Sequence, residues 1–171
     1  IVNDIDSLSG ITAVVFDAVG TLMYPEPSVA EAYRRSIQRH CGASVDPDRV
    51  SAVIRESLIA RSAGDNLSTS EQAEHEFWAQ LIRDLCPNSD GFQACFDELF
   101  AHFAQPESWV CFDDVAELVD DLKRAGVKVA IASNFDLRLN SVCDGLTPIA
   151  EVDCRIISSV VGWRKPAVEF F

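Results

Sequence analysis

Ala13-Val14-Val15-Phe16-Asp17-Ala18-Val19-Gly20-Thr21-Leu22 is the stretch that decides how the rest of the chain is organised. The apolar run Val14-Val15-Phe16 predicts a strand over residues 11–16, buried on both faces as in a parallel sheet. It ends in Asp17 and then in a loop, where Gly20 allows a tight turn and Thr21 supplies a hydroxyl. Open α/β sheets bind their ligands at the C-terminal ends of parallel strands, the position this carboxylate would hold. The plainer role for Asp17 is a turn cap.

Composition narrows the classes. With 171 residues and a hydrophobic fraction of 48% the chain is a folded domain or a domain with an insert. No apolar run reaches the length of a membrane span, and residues 1–10 lack the basic and apolar regions of a signal peptide. The missing initial Met predicts a trimmed or processed start. Cys41, Cys86, Cys95, Cys111, Cys143 and Cys154 form no C-x-x-C pair and read as reduced core thiols, which predicts a cytoplasmic protein. His40, His75 and His102 are too scattered for a zinc site. A net charge of −13 argues against nucleic acid, but a small anion can still bind where cations concentrate in one cleft.

Along the chain, Tyr24-Pro25-Glu26-Pro27 reads as a stiff linker, and four helical patterns follow it. The first places Val29, Ala32, Tyr33, Ser36, Ile37 and His40 on one face. The second opens at Asp46-Pro47 and is expected to bury Val50, Val53, Ile54 and Leu58. The third follows a capping box, Ser68-x-x-Glu71, and the fourth carries Phe92, Cys95, Phe96, Leu99, Phe100 and Phe103. These stripes read more simply as a helical core than as a hydrophobic ligand box. Strands then alternate with helices. Asp113 or Asp114 opens a helix closed by Gly126, strands are expected near 127–132 and 154–157, and a helix starts near Asp136. The pattern predicts an α/β protein with a Rossmann-like parallel sheet core, residues 1–24 and 110–171, and an inserted α-helical cap domain, residues 25–109. The cap would move as a lid over the strand ends, hinged at its two connections to the core.

The strand ends are expected to deliver Asp17, Ser133-Asn134 and Lys165 to one crevice. Ser133 alone could be a helix cap and Lys165 a solvated loop residue. Together they make a nucleophile, a hydroxyl donor and a cation, suited to transferring an anionic group through a covalent intermediate. Asp17, Ser133 and Lys165 are thus the candidate catalytic residues. Gly20, Thr21 and Asn134, with Arg34 and Arg35 on the first helix, are the candidate substrate-binding residues.

These stretches resemble the haloacid dehalogenase-like hydrolases. The first family motif, an apolar strand followed by D-x-D-G-T, stands here as Val14-Val15-Phe16-Asp17-Ala18-Val19-Gly20-Thr21-Leu22. The second, a Ser or Thr ending the next strand, stands as Ala130-Ile131-Ala132-Ser133-Asn134, and the third as Gly162-Trp163-Arg164-Lys165-Pro166. The resemblance implies a phosphatase acting on a small phosphorylated metabolite through an aspartyl-phosphate, with Mg²⁺ held by Asp17 and the backbone carbonyl of Val19. The alternatives are a 2-haloacid dehalogenase-type hydrolase and a non-catalytic protein of the same fold.

Two departures from the pattern bear on this. Phosphatases of the family carry a general acid and base where Val19 stands, and losing such a group removes about 10²–10⁴-fold of rate. The fourth, acidic motif that completes the Mg²⁺ site would lie beyond Phe171, which implies a longer protein. Its strand would flank strand one, so that edge is expected to be open here and covered by a further segment or another copy. The partner expected is a small anionic substrate, not nucleic acid or a membrane.

Overall fold

The computed structural model describes residues 10–64, 66–86 and 90–171; the expectations for the first nine residues lie outside them. Three short strands form a parallel sheet in the order β1 (Ala13–Phe16), β4 (Lys128–Ser133), β5 (Cys154–Ile157). Ala13 pairs with Lys128 and Phe16 with Ile131, while Ala130 pairs with Cys154 and Ser133 with Ile157. The C-terminal ends of β1 and β4 therefore lie side by side. The α/β class expected from the sequence is what the chain forms.

Strand β1 departs from expectation in one respect. It lies at the edge of the described sheet and is not buried on both faces: Val15 is 53% exposed and Ala13 is exposed too. A continuous apolar run marks a parallel strand, but its burial depends on neighbours that pattern alone does not supply. The central strand β4 does have both neighbours, and Val129 and Ile131 are fully buried.

Between β1 and β4 runs a helical insertion: α1 (Val29–Cys41), α2 (Pro47–Ala63), α3 (Glu71–Leu85) and α4 (Phe92–His102). Asp46 caps α2, its side chain accepting from the Asp48 N–H, with Pro47 in the first turn. The cap of α3 is Ser70, whose hydroxyl accepts from the Ala73 N–H, and not the expected Ser68. A capping box needs its acid at the third helical position, and here Glu71 is the first. Of the α2 stripe only Val50 is fully buried; Leu58 is exposed, because that face borders a cavity described below.

The two connections to the insertion are not simple linkers. Strands β2 (Met23–Pro25) and β3 (Trp109–Cys111) pair antiparallel, Met23 opposite Cys111 and Pro25 opposite Trp109. Helices α5 (Val115–Arg124), α6 (Arg138–Gly145), α7 (Thr147–Ala150) and α8 (Ser158–Val161) complete the α/β part. One apolar cluster joins the two parts, with Ile37, Val50, Ile82, Phe96 and Leu99 from the insertion meeting Ile131, Leu139 and Ile149. Each such side chain contributes about 1.5–3 kcal/mol when fully buried. A smaller cluster of Leu122, Val127 and Val129 packs separately.

Candidate active site

Strand β1 ends at Phe16, and the next residue, Asp17, emerges with its side chain half exposed. The loop behind it is tight: the Ala18 carbonyl accepts from the N–H groups of Leu22 (2.8 Å) and Met23 (3.1 Å), and the Gly20 N–H donates to the Met23 carbonyl (2.8 Å). Gly20 has φ +83°, the left-handed region where a Cβ is strained, so the turn needs glycine. Thr21 is exposed at its tip.

Lys165 meets Asp17 directly. Its Nζ donates to Asp17 Oδ1 (2.8 Å) and to the Ala132 carbonyl (2.6 Å). The lysine does not come from a strand end as expected. It sits in the loop after α8, beyond Gly162, which has φ +89°. Asn134 fixes that loop: its Oδ1 accepts from the Lys165 N–H (2.7 Å) and its Nδ2 donates to the Lys165 carbonyl (3.0 Å). Both ends of the Asn134 amide are thus bonded to the Lys165 backbone. Ser133, the last residue of β4, is buried beside this pair.

Arg34 and Arg35 are not brought to the crevice. Arg34 Nε donates to Glu31 Oε2 (2.8 Å) and Arg35 Nε to Glu31 Oε1 (2.5 Å), one turn apart on the surface of α1. These hydrogen bonds hold the Glu31 carboxyl down at about 2. At i, i+3 and i, i+4 from Glu31, both arginines serve an intrahelical network.

The sequence did not single out Arg138, and three-dimensional pairing explains why. Arg138 Nε and Nη2 donate to Asp136 Oδ1 (2.8 Å) and Oδ2 (2.7 Å), and Asp136 is almost wholly buried. Its guanidinium also lies over the Phe100 ring, 3.8 Å from the centroid. The only signal in the sequence was an Asp-x-Arg spacing just past Ser133.

Arg138 lines a cavity of about 210 Å³ between the insertion and the α/β part. Val19, two residues past Asp17, and Phe135, two past Ser133, form part of its wall, together with Tyr33, Trp78 and Trp109. Burial raises the Tyr33 phenol above its ordinary range, so it stays protonated. The cavity wall is almost entirely hydrocarbon.

For a metal, the donors here are hard oxygens: the Asp17 carboxylate and the Val19 carbonyl. Among the described residues no group of three or more His, Cys, Asp or Glu side chains converges. Mg²⁺ is commonly held by one or two carboxylates with water and substrate oxygens completing its octahedron. The residues present fit such a loosely held ion in chemistry, with one carboxylate the minimum count.

An aspartate at a parallel strand end, paired with a lysine and flanked by a serine ending the neighbouring strand, marks a class of α/β hydrolases. A family model for haloacid dehalogenase-like hydrolases matches residues 11–170, and the chain belongs to that family. It is 23% identical over 168 residues to the human protein named haloacid dehalogenase-like hydrolase domain-containing protein 3, covering 94% of this chain and 66% of that one. The chain thus spans just under two thirds of that relative's length. Among solved structures it is similar to a dehalogenase (TM-score 0.69, 22% identity, 94% of this chain and 68% of that one). It is also similar to the HAD-hydrolase YfnB of Bacillus subtilis, bound to magnesium and described as revealing interdomain movement (TM-score 0.70, 14% identity, 94% and 71%). A third is CbbY of Rhodobacter sphaeroides in complex with phosphate (TM-score 0.58, 22% identity, 94% and 69%). Identities this low speak to the fold alone. Among the described residues no helix is long and apolar enough to cross a membrane.

Proposed function

We propose that the protein hydrolyses small phosphomonoesters, with Asp17 as the nucleophile. The observation that carries this reading is the 2.8 Å contact between Asp17 and Lys165 at the C-terminal edge of the parallel sheet. An Asp17 carboxylate oxygen attacks phosphorus, the ester P–O bond breaks, and its electron pair leaves with the alcohol oxygen. Water then attacks the aspartyl-phosphate, releasing inorganic phosphate and regenerating the carboxylate. Lys165 offsets the charge of nucleophile and phosphoryl oxygens, and the Ser133 hydroxyl donates to one of those oxygens. The proton on the departing alcohol comes from water, since the aliphatic Val19 has none to give.

Asp17 and the Val19 carbonyl would hold Mg²⁺, which when bound neutralises charge developing on the phosphoryl oxygens. The magnesium and phosphate seen with the neighbours YfnB and CbbY support the choice of ion and substrate class. The helices at 25–109 act in this reading as a cap that excludes water from Asp17. The test is release of inorganic phosphate from a panel of phosphomonoesters with and without Mg²⁺, alongside chloride release from 2-chloroacids. Phosphate release that needs Asp17 supports the proposal; chloride release alone overturns it.

A further inference from the structure

The wall of the 210 Å³ cavity has an unusual feature for a site beside an anion-handling pair: no spare charge. Among the described residues its single charged side chain, Arg138, is neutralised by Asp136 through two hydrogen bonds and stacks on Phe100. Trp109 Nε1 donates to the Phe103 carbonyl (3.3 Å), so that indole offers the cavity only its ring. Apart from these, only the Tyr33 hydroxyl and the Trp78 N–H offer polar side-chain partners among the described residues, so most hydroxyls of a polyol or sugar entering here would go unpaired. An apolar group meets no such penalty.

The cavity is also joined to the site by the chain itself. Val19 belongs to the Asp17 loop and Phe135 to the Ser133 loop, so both loops turn a side chain to this wall. The Phe135 carbonyl is held by the Ser158 hydroxyl (3.0 Å), which fixes the Phe135 backbone against α8. Val19 thereby has a physical role of its own. A carboxylate there would sit on an apolar wall, whereas the isopropyl group extends it.

The geometry points to an amphiphilic ligand, with its anionic end at Asp17 and Lys165 and an uncharged alkyl or aryl group in the cavity walled by Val19, Phe135, Tyr33, Trp78 and Trp109. This rests on the phosphomonoester reading for the anionic end only. A dry cavity of about 150 Å³ accommodates benzene, so 210 Å³ takes a ring bearing a few carbons or a chain of similar bulk. Binding is expected to tighten about fourfold for each methylene until the cavity is full.

Two probe series separate the claims. Neutral primary alcohols from butanol to octanol are titrated against the protein, read by the fluorescence of Trp78 and Trp109; the matching alkyl phosphates and glycerol phosphate are assayed for phosphate release. The inference predicts affinity rising with chain length, alkyl phosphates preferred at least tenfold over glycerol phosphate, and loss of the longer alcohols in Leu58→Trp, which fills the cavity from its exposed side. Ile54→Phe is the second filling variant should Leu58→Trp fail to fold. Alcohol binding that rises with length without turnover of any ester would uphold the cavity assignment and remove the phosphatase reading. Turnover with no dependence on chain length, or alcohol binding untouched by a folded filling variant, overturns the inference.

Discussion

Lys165 and Asp136 show two ways in which charge is placed around this site. Lys165 is one quarter exposed and bridges Asp17 to the Ala132 carbonyl, so Lys165→Met is expected to leave the fold intact and lower kcat/KM by about 10²–10³-fold, measured on a phosphomonoester. Asp136 is different: it is buried and accepts from Arg138 through both side-chain oxygens and from the Arg138 backbone N–H (3.1 Å). Asp136→Ala leaves a buried cation unpaired, and a loss of about 3–5 kcal/mol in denaturant unfolding is expected. A loss below 1 kcal/mol would mean that Arg138 finds solvent. Val19→Asp is expected to speed esters with poor leaving groups more than activated aryl esters, because it restores a proton donor, while weakening the longest alkyl phosphates. Equal effects on both ester classes would show that leaving-group protonation was not limiting. At this scale Asp17 and Ser133 stood out in the sequence because each closes an apolar run that forms a strand, whereas Lys165 follows no strand and sits in the loop after α8. Arg138 did not stand out, since its meaning lies in contacts with Phe100 and the cavity.

Among the elements, the junction between the helical insertion and the Lys165 loop carries the next expectation. The Thr69 N–H donates to the Gly162 carbonyl (2.8 Å), the Arg164 N–H to the Leu67 carbonyl (2.9 Å), and Arg164 Nη2 to the Arg61 carbonyl (2.9 Å). Glu71, at the start of α3, accepts from the Leu137 N–H (3.0 Å) and from the Ser159 hydroxyl. The α2–α3 loop thus latches the insertion onto the segment that presents Lys165. If the insertion opens as a lid, this latch must break while the β2–β3 ladder bends. Glu71→Ala is expected to raise amide hydrogen exchange at Thr69 and Arg164 together, with little change in global stability. Unchanged exchange at both would mark the insertion as fixed architecture. The helices were readable from apolar spacing and from Asp46-Pro47. The β2–β3 ladder was not, because Tyr24 pairs with Val110 and Pro25 with Trp109 only when the two ends of the insertion are brought together.

For the whole molecule, the division between buried and open sheet surface is the clearest quantity to test. Ile131, fully buried in β4, is expected to cost about 2–5 kcal/mol when cut to alanine. Val15, on the exposed face of edge strand β1, should cost no more than about 0.5 kcal/mol. A large loss at Val15 would show that this edge is covered in solution. The α/β class was legible in the sequence as a whole, while β2, β3 and the short helices α7 and α8 were not; nor was the apolar cluster linking both parts, since helical stripes do not name their partners. The central claim remains that Asp17 carries the phosphoryl group. Its most direct test is acid quenching during turnover of an alkyl phosphate, followed by mass spectrometry of the peptide spanning residues 11–22. A phosphoryl adduct on Asp17, absent together with all turnover in Asp17→Asn, is the predicted result; turnover that persists in Asp17→Asn would contradict it.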